Sequence, residues 1–132
     1  MKITNLLVRL IFLSLGGCAN SGQRDERFGA SPSELNAQKT SLDDQRVELR
    51  GYLIHEAESY GVWDSLAAMK AGNPSSCLSL LYPMELQSRV ISANRKSVRI
   101  VGVFHRNVAS GVGVRLGLCN YTGIKVEKID VD

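Results

Sequence analysis

The sequence predicts a mainly β fold, a small five- to six-stranded barrel with one helix between strands 3 and 4 and a short helical turn. Residues 46–132 contain several segments in which apolar and polar side chains alternate, which is the period of a half-buried strand. Two of these segments, "RVELRGYLI" and "SVRIVGVFH", also carry a central glycine. A glycine inside a strand marks a bulge or bend, and such bends coil a sheet into a small barrel.

The elements follow one another at short intervals. In the two glycine-containing segments the inward face is expected to carry Val47, Leu49, Gly51 and Leu53, then Val98, Ile100, Gly102 and Phe104. Between them, "GVWDSLAAMKAG" predicts a short strand at 61–63 and a helical turn capped by Asp64 and stopped by Gly72. "SSCLSLLY" predicts a strand at 76–82, and "PMELQSRVISA" predicts a helix that starts at Pro83. "VGVRLGLC" and "GIKVEKIDV" supply the last strands.

Five strands with a helix between the third and the fourth are the layout of the OB-fold. The segments "RVELRGYL", "SCLSLLYP", "NRKSVRIVGVF" and "LCNYTGIKVEKI" resemble those of small bacterial lipoproteins with an OB-fold-like periplasmic domain, mostly of unknown function. The resemblance implies an OB-like barrel over residues 46–132 and says little about function. A small α+β sandwich is the alternative fold.

The N-terminal stretch "MKITNLLVRLIFLSLGGC" has the layout of a secretory signal, with an early positive charge, an apolar run and small residues before a cysteine. The run at 10–15 is much shorter than the roughly 20 residues of a membrane-spanning helix. "LGGC" resembles the lipobox of bacterial lipoproteins, which implies that residues 1–17 are removed and that Cys18 is acylated, anchoring the protein in the membrane. An ordinary signal peptide with Cys18 merely nearby is the alternative. Ala19 stands where an aspartate would indicate inner-membrane retention, so the expected location is the periplasmic face of the bacterial outer membrane.

Residues 18–45 are expected to be the lipidated cysteine and a flexible tether. The segment is polar, carries scattered Gly, Pro and Ser, and shows no sustained apolar period. Such a composition does not bury enough surface to offset its ordering entropy. Within it, "SPSELNAQ" predicts at most a marginal helical turn capped by Ser33.

With Cys18 acylated, Cys77 and Cys119 remain as an even number of cysteines in an oxidising compartment, which predicts a disulfide. Two alternatives stay open: a pair of buried free thiols, or a metal site formed with His55 or His105. The spacings of these four residues match no zinc signature. We therefore expect neither a metal nor another cofactor.

Of the 16 Lys and Arg residues, Lys2 and Arg9 lie in the signal, which leaves 14 against 13 acidic residues and gives no general case for nucleic acid. One asymmetry stands out, because no acidic residue occurs between Glu85 and Glu127. The candidate anion-binding residues in this stretch, which extends from Arg89 to Lys125, are Arg89, Arg95, Lys96, Arg99, Arg106 and Arg115. The alternative is a solvated surface that is partly paired with the acidic segment at 43–64.

No sequence motif of a known catalytic type is present, so we predict no catalytic residue and a protein that is not an enzyme. Two functions remain. An adaptor that docks another envelope protein predicts an exposed apolar patch. A module for an anionic envelope polymer or nucleic acid predicts that the basic residues cluster on one surface. The small number of aromatic residues and the expected periplasmic location argue against nucleic acid as the ligand. The lipid anchor and the tether favour the adaptor function.

Overall fold

The computed structural model describes residues 29–57, 59–108 and 119–132. Five strands form a closed barrel in the spatial order β1-β2-β3-β5-β4. The strands are β1 (Arg46–Glu56), β2 (Ser59–Trp63), β3 (Cys77–Leu81), β4 (Lys96–His105) and β5 (Gly123–Val131). The α-helices are α1 (Pro32–Ala37), α2 (Lys39–Leu42), α3 (Leu66–Ala71) and α4 (Gln87–Ser92), with 3₁₀ turns at Pro74–Ser76 and Met84–Leu86. The predicted OB-like barrel, with its helix between strands 3 and 4, is confirmed.

β1 and β4 carry the predicted alternation. The buried positions of β4 run from Val98 to Phe104 at every second residue, and Leu49 and Leu53 of β1 are fully buried. The two strands pair antiparallel, with Gly51 opposite Val98. Their inward side chains therefore meet in one core, which also receives residues of β2, β3, β5, α1 and α4.

The predicted bend at Gly102 is confirmed. The register between β4 and β5 shifts between Val101 and Gly102, and a Cβ at Gly102 would overlap the carbonyl oxygen of Lys125. The pairing of β1 with β4 is regular through Gly51, so the bend predicted there is not accompanied by a register shift. There the missing side chain instead lets the Trp63 carbonyl approach, since a Cβ would lie 2.5 Å from that oxygen.

The prediction of a flexible tether is wrong for residues 29–45, which pack onto the barrel. Ala30 forms a parallel bridge with Leu49, and Leu35 of α1 is 4% exposed within the main core. The short helix is stable because it buries Leu35 and Pro32, a tertiary contribution that composition does not reveal. The rest of the proposed tether, Cys18 and the signal at 1–17 lie outside the described residues.

Two caps differ from the predictions by one or two positions. Ser31, not Ser33, caps α1 by accepting a hydrogen bond from the Glu34 amide. Ser65, not Asp64, caps α3 by accepting one from the Ala68 amide. Gly72 ends α3 in the left-handed conformation, as expected.

The strand predicted from "VGVRLGLC" at 112–119 lies, up to residue 118, outside the described residues. The strand predicted from "GIKVEKIDV" is β5, Gly123–Val131. In the described part of the chain, no helix has the length and apolar character needed to cross a membrane.

Candidate functional site

Cys77 and Cys119 form the predicted disulfide, with their Cα atoms 6.1 Å apart. The alternatives of free thiols and a metal site are therefore wrong for this pair. The bond lies against β2 at Gly61, where a Cβ would come within 2.7 Å of both sulfur atoms. Glycine at this position lets the disulfide tie the 119–122 turn onto the outer face of β2 and β3.

An apolar cluster fills this outer face beside the disulfide. Ile54, Trp63 and Cys77 are its buried members, and Met69 of α3 and Cys119 pack against them. The single tryptophan, Trp63, is buried in this cluster, outside the barrel and not within it. An OB-fold commonly binds oligonucleotides or oligosaccharides on the outer face of strands 2 and 3. In this chain, that face is closed by α3 and by the disulfide.

Polar groups close the same face from the α1 side. The Asn36 amide donates hydrogen bonds to the carbonyls of Ser75 (2.8 Å) and Cys77 (3.0 Å), and its oxygen accepts one from the Thr122 hydroxyl. The hydroxyl of the fully buried Ser79 donates to the Asn120 carbonyl at 2.7 Å. These bonds fix α1 and the 119–122 turn to β3.

The candidate anion-binding residues do not form one compact surface. Arg95 pairs with Glu56 (2.6 Å). Arg99 pairs with Glu48 (3.6 Å), and Arg106 lies 3.9 Å from Asp43. All three partners belong to the acidic segment at 43–64, which favours the interpretation of a paired, solvated surface.

The positions of the other candidate anion-binding residues also argue against a single basic surface. Arg89 lies on α4 and Lys96 begins β4, whereas Arg106 follows the end of β4. Ten strand residues span about 33 Å, so these cations lie at opposite ends of the barrel. Arg115 is outside the described residues.

The end of the barrel that α4 covers, here called the α4 end, exposes apolar side chains. Met84 is 83% exposed, Ile91 49% and Val131 50%. Val131 borders a shallow groove of about 260 Å³ between α4 and β5, which Arg89 also lines. Methionine and arginine are enriched in protein–protein interfaces, and the α4 end combines both.

A second, polar groove lies at the opposite end of the barrel, between α1 and the 119–122 turn. This α1 groove has a volume of about 470 Å³. Its lining residues include hydroxyls, amides, two cations and one aromatic ring: Ser33, Asn36, Lys39, Arg106, Tyr121 and Thr122. Sequence reasoning proposed only Arg106 as a binding residue. Ser33, Asn36 and Lys39 lie in the segment interpreted as tether, and Tyr121 and Thr122 lie in the turn after Cys119.

Both histidines lie near strand ends, and each has a side-chain partner. His55 Nε2 shares a hydrogen bond of 2.5 Å with the Tyr82 hydroxyl, and its ring lies edge-on to Tyr60 at 4.5 Å between centroids. Burial, and to a smaller extent Tyr60, raises the pKa of Tyr82. This cluster of rings lies at the β1–β2 hairpin, near the α4 end.

His105 lies beside two carboxylates. The potential ligand atoms of Asp43, Asp44 and His105 lie within 4.8 Å of one another. They already have protein partners, since His105 Nδ1 is 3.0 Å from Asp44 and Asp43 accepts a hydrogen bond from the Arg106 amide at 2.8 Å. The arrangement serves to hold the turn at 43–45 against β4.

No protein-family model matches the chain, and no curated protein matches it significantly. Among solved structures, the chain is similar to asparaginyl-tRNA synthetase from Pyrococcus horikoshii complexed with asparaginyl-adenylate, with 15% identity, a TM-score of 0.42, and coverage of 70% of this chain and 20% of the synthetase. It is also similar to an OBody bound to hen egg-white lysozyme, with 15% identity, a TM-score of 0.44, and coverage of 73% and 90% of the two chains. The chain thus spans about a fifth of the synthetase.

Proposed function

We propose that the protein is an outer-membrane lipoprotein, anchored through Cys18, whose barrel is a non-enzymatic adaptor that docks another envelope protein. The observation that carries the docking function is the exposure of three large apolar residues on the elements of the α4 end: Met84 just before α4, Ile91 on α4 and Val131 at the end of β5. Exposed large apolar side chains grouped at one place are typical of interaction sites. The closed outer face of β2 and β3 directs binding away from the usual OB surface and toward this end.

The proposed location in the bacterial envelope is supported by the N-terminal segment and by the barrel domain. "LGGC" at 15–18 has the lipobox pattern, and the Cys77–Cys119 disulfide suits an oxidising compartment such as the bacterial periplasm. An acylated cysteine carrying more than one chain gives a stable anchor, whereas a single chain binds only marginally. The 11 residues from 18 to 28 then link the anchor to the packed segment that begins at Gly29.

The non-enzymatic character is supported by the causes of the shifted pKa values among the described residues. The Arg95 hydrogen bond lowers the pKa of Glu56, and Glu56 in turn raises the pKa of Arg95. This pair lies on the surface, and the raised pKa of Tyr82 follows from burial. Catalytic groups with shifted pKa values usually converge in a cleft, and these three groups have structural explanations instead.

The alternative function, binding of an anionic envelope polymer or nucleic acid across the 89–125 segment, has weaker support. Arg95 and Arg99 each pair with a carboxylate, which reduces the local positive potential that a polyanion bound along this segment would require.

The docking proposal is tested by crosslinking and affinity purification of the intact lipoprotein from envelopes. Met84→Asp and Ile91→Asp are expected to abolish recovery of a specific partner, because a buried charge in an apolar contact is costly. Leu66→Asp is the matched control, since Leu66 is also an exposed apolar residue (38%) but lies on α3. Equal partner recovery in all three variants would rule out docking at the α4 end.

The anchor is tested separately by incorporation of labelled palmitate in the natural chain and in Cys18→Ser. We expect label only in the natural chain. Equal labelling of both proteins would contradict acylation at Cys18.

A further inference from the structure

The α1 groove is separate from the proposed docking surface, because it lies at the end of the barrel opposite α4. Arg106 follows the last residue of β4, and the 119–122 turn precedes the first residue of β5. Residues at the α4 end instead precede β4 or end β5. A ligand in the α1 groove and a protein at the α4 end therefore occupy different surfaces.

The groove holds two cations with hydrogen-bonding capacity to spare. Within the described part of the chain, Lys39 has no ion pair, and its ammonium offers three donors. Arg106 approaches Asp43 through Nε at 3.9 Å, the outer limit of an ion pair. The guanidinium has five N–H donors, so this long contact leaves most of them available. An anionic group is the natural complement of this pair.

An aromatic ring borders the same groove. Tyr121 is 71% exposed, unlike the other large residues of the turn at 119–122. The face of an aromatic ring is electronegative, so it attracts the polarised C–H bonds of a sugar ring. Together with the two cations, Tyr121 provides an apolar platform beside an anion-binding edge.

The walls of the groove are fixed before any ligand arrives. Asn36 joins α1 to β3, Asn120 donates to the carbonyls of Pro74 (2.9 Å) and Cys77 (3.2 Å), and the disulfide holds Cys119. Preorganised walls reduce the entropy lost on binding. The volume of about 470 Å³ lies within the range of small-ligand sites, which is about 300–1,000 Å³.

We propose that the α1 groove binds an anionic sugar unit, with its acidic group on Lys39 and Arg106 and its ring on Tyr121. Single-stranded nucleic acid fits less well. Proteins that bind it contact the phosphate backbone along a basic groove and stack several bases on aromatic side chains. Here one exposed ring and two cations lie in a short groove. Of the described residues that the sequence predicted to bind an anion, Arg106 alone lines this groove. The second cation of the groove is Lys39.

The test uses the full chain carrying Cys18→Ser, labelled with ¹⁵N, and follows amide shifts on titration with a galacturonic acid trimer. We expect saturable shifts of Lys39, Arg106, Tyr121 and Thr122. Lys39→Gln, Arg106→Gln and Tyr121→Ala are each expected to weaken binding about tenfold, as for loss of a charge-assisted hydrogen bond or an aromatic contact. The matched control, Lys125→Gln, removes an exposed cation of β5 that does not line the groove and should leave the affinity unchanged.

Four binding results would overturn the proposal. These are no saturable shift with the acidic trimer, equal binding of a neutral galactose trimer, equal binding of inorganic phosphate, and tighter binding of a single-stranded oligonucleotide. Equal weakening by Lys125→Gln would also overturn it, because it would indicate diffuse electrostatic attraction. Retained amide dispersion in each variant confirms that the substitution leaves the fold intact.

Discussion

Replacing both Cys77 and Cys119 with alanine removes the bond that holds the 119–122 turn against β3. The bridge closes a loop over a sequence separation of 42 residues. From the entropy that such a loop closure removes from the unfolded chain, the disulfide contributes about 4 kcal/mol to the free energy of unfolding. For a small domain whose total stability is about 5–15 kcal/mol, this is a large fraction.

The assay is urea unfolding of the full chain, followed by the fluorescence of its single tryptophan. Trp63 packs in the cluster that contains Cys77, so its signal reports on the region that the disulfide closes. Both proteins carry Cys18→Ser, which removes the third thiol and prevents disulfide exchange. With a urea m-value of about 1–2 kcal/mol/M, the midpoint should fall by about 2–4 M.

A midpoint shift below about 0.5 M, with an unchanged m-value, would refute this reasoning. It would mean that the closed face of β2 and β3 is held by its packing and hydrogen bonds without the bridge. Double alanine is preferred to a single substitution, because a lone buried thiol would add its own effect.

Three further predictions use the same unfolding assay or NMR. Gly61→Ala should cost about 1–3 kcal/mol through contact with the two sulfur atoms and clearly less in the double-alanine protein; an equal cost in both would contradict the proposed contact. Leu35→Ala should cost about 2–4 kcal/mol because α1 belongs to the core, whereas a change near zero would restore the tether interpretation. The pKa of Glu56 is lowered by Arg95, so this pair stabilises the fold above the unfolded pKa of about 4.3, and its contribution is lost as pH falls through the lower folded pKa. Carbon NMR titration should show that lowered pKa and its return toward the usual range in Arg95→Gln; an unchanged pKa in that variant would contradict the assignment.

The barrel was predictable because its signals are local. The alternation in "RVELRGYLI" and "SVRIVGVFH" defines the inward face of β1 and β4, and the register of their pairing follows that alternation. The bulge at Gly102 was predictable from a local signal as well. The disulfide was predictable for another reason, since two cysteines remain once Cys18 is assigned to the lipid anchor. A glycine inside a strand and a pair of cysteines in an oxidising compartment each have few possible structural roles.

The packing of residues 29–45 was not predictable from composition. Leu35 is a single large apolar residue in a polar segment, and only the barrel supplies the surface that buries it. The α1 groove depends on this packing, because Asn36 and Lys39 reach it through α1 and α2. The ion pairs of Arg95, Arg99 and Arg106 likewise depend on which acidic residue each strand pairing brings near.

The exposed residues at the α4 end left a usable signal in the sequence. Leu86, Val90 and Ala93 have the helical spacing of an inward face, and Val90 and Ala93 are fully buried. Ile91 falls outside that face, and Met84 precedes the helix. An apolar residue off the buried face of a helix is a candidate contact residue, and both are exposed.

The central claim, that the barrel docks an envelope protein through its α4 end, is tested most directly by photocrosslinking in intact cells. A photoreactive amino acid is placed singly at Met84, at Ile91 and at the control position Leu66. The account predicts an adduct with the same partner protein from positions 84 and 91 and none from position 66. Adducts of equal yield from all three positions, or from position 66 alone, would contradict it.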